Sequence, residues 1–181
     1  MGIFKISETG IEGLIVIEPQ LFGDSRGYFF ESYNKRDFIK LGLKYDFVQD
    51  NQSLSSKGVL RGLHFQIKYP QTKLVRVLEG EVFDVAVDLR KNSPTYGKWY
   101  GVRLSSENNK MLLIPKNFAH GFLVLSEKAV FCYKVDDFYH PNDEGGIIWN
   151  DPDIGITWPV IDHIHLSEKD LNHPKFKDLV V

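Results

Sequence analysis

The chain has 181 residues, 43% hydrophobic and 25% charged, which fits one globular domain over residues 1–181 and excludes a disordered polymer. A formal net charge of −2 excludes a general polyanion surface, so no nucleic-acid partner is expected. Cys132 is the single cysteine, which excludes an intrachain disulfide framework.

Residues 14–19 read as a strand stopped by Pro19, and residues 22–27 as a turn-rich stretch before an extended run to Tyr33. Asn34 is placed to cap a short helix over 35–41, ended by Gly42. Residues 47–53 are extended again, and the Lys57-Gly58 turn introduces a strand over 59–65. The clearest alternation follows at 81–89. Phe83, Val85, Val87 and Leu89 fall on one face and Val82, Asp84, Ala86 and Asp88 on the other. Glu79-Gly80-Glu81 is read as a tight turn joining this strand to the one before it, as in a hairpin. Further extended runs are 99–104, 111–114, 122–125 and 129–136, separated by turn signals at 92–94, 107–109, 115–117 and 141–143. Near the C-terminus Ser167 has the position of an N-cap for a helix packed against or across the barrel. Many short strands and few helices predict an all-β sandwich or barrel. No apolar run reaches the length of a membrane span, and residues 1–13 lack the layout of a signal peptide, so a cytoplasmic protein is expected.

Arg61-Gly62-Leu63-His64-Phe65-Gln66 sets a histidine and an arginine inside an apolar strand. A histidine there is a metal ligand, a proton-transfer base, or a core residue satisfied by one hydrogen bond. A metal site in such a barrel needs a second early ligand, and Gln66 stands where one would be, which argues against a metal. His163-x-His165 has ligand spacing but is read as surface. His120, after the Pro115 turn, is placed near the barrel wall, structural or functional with equal weight. Lys73 is either a strand-start lysine with its head in water or a cation turned inward to hold an oxyanion. Tyr133 is either a core tyrosine or a proton donor, and Asp170 either a helix-terminus carboxylate or the group that orients His64. Arg26 and Arg61 either bind a diphosphate or form ion pairs with Glu31 or Asp50. Gln49 and Asn51, in a polar strand, either read a base and sugar hydroxyls or face solvent.

Across nearly its whole length the chain resembles the dTDP-4-dehydrorhamnose 3,5-epimerase family. The matching motifs are residues 22–27, 47–51, 59–66, 73–76, 80–88, 114–122, 149–156 and 166–170. The resemblance implies a cupin-like jelly-roll (double-stranded β-helix) barrel with a few short helices mainly near the C-terminus, acting without metal or cofactor as a homodimer. It implies epimerisation of dTDP-4-dehydro-6-deoxy-D-glucose at C3 and C5 to dTDP-4-dehydro-L-rhamnose. His64 would accept the proton with Asp170 behind it, Tyr133 would donate one, and Lys73 would polarise the ketone near His120. Arg26, Glu31, Gln49, Asn51, Arg61, Glu144 and Lys169 match positions that bind or border the nucleotide sugar. The alternatives are a 3-only or 5-only epimerase on a related dTDP-sugar, a metal-dependent oxygenase, and a non-catalytic nucleotide-sugar-binding barrel. One departure is Thr72, where the family often has glycine before the lysine.

Overall fold

The structure is a computed structural model, and residues 3–179 are described. Its strands are β1 (Phe4–Glu8), β2 (Ile15–Pro19), β3 (Phe22–Asp24), β4 (Gly27–Phe29), β5 (Gln49–Ser56), β6 (Leu60–Gln66) and β7 (Lys73–Glu79). They continue with β8 (Glu81–Asp88), β9 (Trp99–Ser105), β10 (Met111–Ile114), β11 (Phe118–Val124), β12 (Lys128–Val135) and β13 (Glu144–Gly146). Two short helices accompany them, α1 (Lys35–Lys40) and α2 (Glu168–Leu171). Every pairing between these strands is antiparallel.

Two sheets make a cupin-like jelly roll. One runs β1-β2-β10-β7-β12-β5 and the other β13-β6-β11-β8-β9. Between them lies the main core, with Val16, Val75, Val82, Leu104, Leu112, Val124 and Phe131 all buried. Period-two alternation also produces two outer cores. The outward face of β8, through Val85 and Val87, is covered by Ile147, Ile154 and partly buried Trp158 from the C-terminal segment. On the other sheet, Met111 and Leu113 are covered by Phe38 of α1, with Tyr33 and Phe47 packed alongside. Both sheets are therefore buried on two faces over much of their area, so their strands carry apolar residues on both sides. Full burial of one such side chain contributes about 1.5–3 kcal/mol.

The helix start at Asn34 is as expected, its side chain accepting a bond from the Asp37 N–H, and Gly42 follows the helix with φ +84°. Several expectations need correction. The Gly80 turn is a corner and not a hairpin: β7 pairs with β10 and β12, whereas β8 pairs with β9 and β11 in the other sheet. The extended run after Gly27 ends at Phe29. The strand expected at 122–125 begins at Phe118, so His120 sits inside β11 and not on its approach. No helix of the described residues is long and apolar enough to cross a membrane.

Candidate active site

Five strands supply the walls of an open cavity of about 310 Å³ at one end of the main core. Asn51 (β5), Lys73 (β7) and Tyr133 (β12) stand on the six-stranded sheet; Arg61 and His64 (β6) and His120 (β11) stand on the five-stranded sheet opposite. Phe122 and Phe131 form an apolar floor, their rings stacked at 4.2 Å.

Strict alternation would send Arg61 and His64 to opposite faces of β6, since they are three residues apart. A bulge prevents this. His120 pairs with His64 but Phe122 pairs with Arg61, so Gly62 and Leu63 together oppose Gly121. The extra residue turns both polar side chains to the cavity. It also brings the two backbones so close that a Cβ on Gly62 would lie 2.6 Å from the His120 carbonyl oxygen and one on Gly121 2.6 Å from that of Arg61. Only glycine fits at either position.

His64 donates or accepts through Nε2 to Asp170 Oδ1 at 2.5 Å. Asp170 is buried, and its own backbone N–H bonds the capping Ser167 hydroxyl. Burial pushes its carboxyl up, but the His64 bond, that ring's charge and the Ser167 bond outweigh it and hold the value below the usual carboxylate range. An ionised Asp170 accepts from Nε2–H, which leaves His64 Nδ1 as the nitrogen with a free lone pair.

A second histidine–carboxylate pair lies deeper. His120 Nε2 is 2.9 Å from Asp84 Oδ2, and Asp84 is fully buried on the inward face of β8. Burial lowers the His120 value against the pull of Asp84, so its ring is a neutral donor. Lys73 begins β7, held there by buried Thr72, whose N–H donates to Asp136 Oδ1 at 2.7 Å while the Asp136 N–H bonds the Thr72 carbonyl. Desolvation over the apolar floor drops Lys73 to about 8, opposed by the charges of Asp84 and Glu144. Burial, then Glu144, raises the Tyr133 phenol, which stays protonated at neutral pH.

The remaining residues lie as follows. Gln49 shares the inward face of β5 and donates to Asn51 Oδ1 at 2.8 Å. Arg61 bonds the Ser55 hydroxyl at 3.0 Å and has no acidic partner among the described residues. Glu144, on β13 beside β6, accepts from Lys169 and from the Tyr139 hydroxyl at 2.9 Å. Arg26 pairs with Asp24, not with Glu31 or Asp50, on the exposed β3–β4 hairpin. Glu31 accepts from Asn34 beside α1. Neither Arg26 nor Glu31 lines the cavity within one chain. Gln66 is a structural clip, buried and bonded through both side-chain ends to the backbone of His140. His163 and His165 are exposed.

Sequence reasoning missed His173. Its ring meets that of His64 edge-on at 5.4 Å, and Nε2 lies 3.4 Å from Asp170 Oδ1. His64, Asp170 and His173 offer ligand-type atoms within 4.8 Å of one another, the grouping of that kind among the described residues. The one signal in the sequence was the three-residue spacing from Asp170, which is uninformative until α2 is placed against β6.

The fold and the residues in its interior define a class: a cupin-like barrel equipped for proton transfer. Residues 8–178 match the family model described as dTDP-4-dehydrorhamnose 3,5-epimerase. A protein of that name from Methanothermobacter thermautotrophicus is 56% identical over 174 residues, covering 95% of this chain and 94% of the relative. The crystal structure of the enzyme from Elizabethkingia anophelis superposes with a TM-score of 0.93 at 54% identity, covering 97% of this chain and 98% of that one. A Legionella pneumophila dTDP-6-deoxy-D-glucose-3,5-epimerase in complex with dTDP-4-keto-L-rhamnose superposes with a TM-score of 0.95 at 50% identity, covering 97% and 94%. The chain belongs to the dTDP-4-dehydrorhamnose 3,5-epimerase family of isomerases.

Proposed function

We propose that this chain converts dTDP-4-dehydro-6-deoxy-D-glucose to dTDP-4-dehydro-L-rhamnose, with His64 as base, Tyr133 as acid and Lys73 as the cation on the C4 oxygen. The observation that carries the reading is the split of these groups between two walls. His64 stands on the five-stranded sheet and Tyr133 on the six-stranded sheet across the same cavity. Inverting a carbon requires loss of a proton on one face and its return on the other, which two facing walls provide.

The chemistry follows from the environments. The C4 ketone acidifies the hydrogens at C3 and C5, but an enolate forms only where its oxygen is stabilised. Lys73 supplies positive charge in a desolvated pocket, where such a donor contributes about 2.7–4 kcal/mol to lowering the barrier. His64 takes the proton on Nδ1, and the anionic Asp170 stabilises the imidazolium that forms. Tyr133, protonated because it is buried, gives a proton from the far side. The same step at the second carbon completes the reaction, and none of it transfers electrons or draws on a metal. Asn51, Gln49 and Arg61 are the side chains of this chain placed to hold the nucleotide and its diphosphate.

A cytoplasmic homodimer is part of this reading. The β3–β4 hairpin pairs with no other strand among the described residues and exposes Phe22, Tyr28 and Phe29. A second copy packed on it would cover those rings and take Arg26 and Glu31 as contributions to its own cavity. The test is incubation with the 4-keto sugar nucleotide in heavy water, read by NMR. Deuterium at C3 and C5 with inversion of both is expected; absence of exchange at either carbon rejects the double epimerisation.

A further inference from the structure

His173 follows α2 in the sequence Asn172-His173-Pro174, and its side chain is 9% exposed. The Ile148 N–H bonds the Pro174 carbonyl and pins the backbone beside it. Room for the ring is made by an absent side chain: a Cβ on Gly146 would lie 2.3–2.5 Å from three of its atoms. Gly146 is the residue of β13 paired with His64 in β6, so the notch opens directly beside the base. Nε2 is nevertheless buried and, among the described residues, has no hydrogen bond of ordinary length. Burying an unpaired polar nitrogen is unfavourable, and an apolar ring would fill the same notch without that penalty. The acceptor within reach is Asp170 Oδ1, the oxygen already bound by His64.

We propose that His173 is a positioning residue for the His64–Asp170 pair, its N–H sharing the Asp170 carboxylate with the base. The inference rests on the reading of His64 as base. In the resting arrangement His64 holds the carboxylate oxygen at 2.5 Å and His173 waits at 3.4 Å. Catalytic hydrogen bonds in unliganded sites are often long and tighten with substrate. By drawing on part of the carboxylate's charge, His173 keeps His64 from holding its proton too firmly, so the base is free for the next carbon. This works only while His173 is neutral. Burial, then His64 and Lys169, hold it below the ordinary imidazole value against the pull of Asp170. The charged groups facing it are His64 from β6, Asp170, Lys169 and Glu168 from α2, Glu144 from β13, and Asp178 from the turn beyond.

The test compares kcat/KM against pH for the native enzyme, His173→Phe and His173→Gln. Phe fills the notch without a donor, and Gln restores an N–H. His173→Phe is expected to lose about tenfold in kcat with little change in KM, as for an orienting group outside the substrate shell. Its acidic limb should move up by roughly half a pH unit, because an unshared carboxylate favours the protonated base. His173→Gln should recover most of both. Titration of the ¹⁵N-labelled His64 ring by NMR should move the same way in the Phe variant, without turnover. If the His64 titration and the acidic limb are unchanged, the proposal is wrong and His173 only fills space, whatever happens to rate or melting temperature. Should the Phe variant not fold, His173→Leu, smaller and likewise without a donor, takes its place in the same NMR titration, with the same shift expected and an unchanged His64 titration again overturning the proposal. Deuterium exchange surviving in His64→Ala would reject the base itself, an outcome separate from the NMR result.

Discussion

Asp84 and Asp88 lie four residues apart on the same inward face of β8, and both are fully buried. Asp88 is saturated. Oδ1 accepts from the Arg90 N–H at 2.9 Å and from its Nε at 2.8 Å, and Oδ2 from Arg90, Ser93 and Thr95 within 2.8 Å. Burial pushes the carboxyl up, but these donors outweigh it and bring it to about 2. The Asp88 clamp locks the 90–95 turn and sets Arg90 over the Phe118 ring at 4.8 Å. Among the described residues Asp84 hydrogen-bonds one side chain, the neutral His120, and it lends its field to Lys73. One end of the barrel thus spends its buried charge on closing a loop. The other lines an open cavity with Asn51, Arg61, His64, Lys73, His120 and Tyr133, polar groups that a substrate with a ketone and a diphosphate can use. Stability and activity should therefore separate along a single strand.

The largest effects expected are at the pocket end. His64→Ala should lower turnover by about 100- to 10,000-fold, measured per folded molecule by NMR on the 4-keto substrate. Turnover within tenfold of native would remove His64 from the mechanism. Lys73→Met should lower kcat by about 100- to 1,000-fold and yet stabilise the fold by about 1–3 kcal/mol, because it removes a desolvated cation. The sign follows from linkage. The folded value of about 8 lies below the unfolded value of roughly 10.4. The penalty is therefore complete below pH 8 and relieved as pH rises from 8 to about 10, where the unfolded state binds more protons. Native stability should climb through that window and the Met variant should not show the rise. Equal slopes would contradict the burial of Lys73.

At the clamp end the expectation reverses. Asp88→Ala should cost about 2–3 kcal/mol, less than a fully enclosed ion pair, because Arg90 keeps contact with water. Turnover per folded molecule should stay within about twofold, since no clamp residue reaches the pocket. Native stability from this carboxylate is fully present above about pH 4 and is lost as pH falls from there toward 2. A variant as stable as native, or one that is folded but inactive, would break the division between the two ends.

Much of this division was legible before folding. The alternation at 81–89 placed Asp84 and Asp88 on one face and Val85 and Val87 on the other, as the cores record. Local signals also served for Asn34, Gly42 and Ser167, where a cap is decided by neighbours in sequence. What failed depended on distant partners. A tight turn at Gly80 looks the same whether its strands pair or part into two sheets. The bulge that turns Arg61 and His64 to one cavity is foreshadowed by Gly62 but set by Gly121 on another strand. Strand β13, Glu-Gly-Gly, has no β propensity, and its second glycine exists to admit His173. Asn51, Arg61, His64, Lys73, His120 and Tyr133 line one cavity, whereas Arg26 and Glu31 do not.

The smallest effect expected tests the pocket end most finely. Asp84→Asn keeps the shape of β8 and an oxygen for the His120 N–H, so folding and the geometry of the pair should survive. What it removes is a negative charge that favours the protonated Lys73. Lys73 would then lose its proton at lower pH, and in the proposed mechanism the rate falls with it, because there the ammonium meets the growing enolate charge. The alkaline limb of kcat/KM expected near pH 8 from Lys73 should move down by roughly half a unit to one unit. At pH 7 the loss should be less than about twofold, and at pH 8.5 about three- to eightfold, in keeping with a limb shift and not with loss of a reacting group. Asp88→Asn is the control, the same change of charge four residues along the same face, and its limb should stay in place. If both variants shift the limb equally, the field at Lys73 comes from the barrel as a whole and Asp84 has no special part in it.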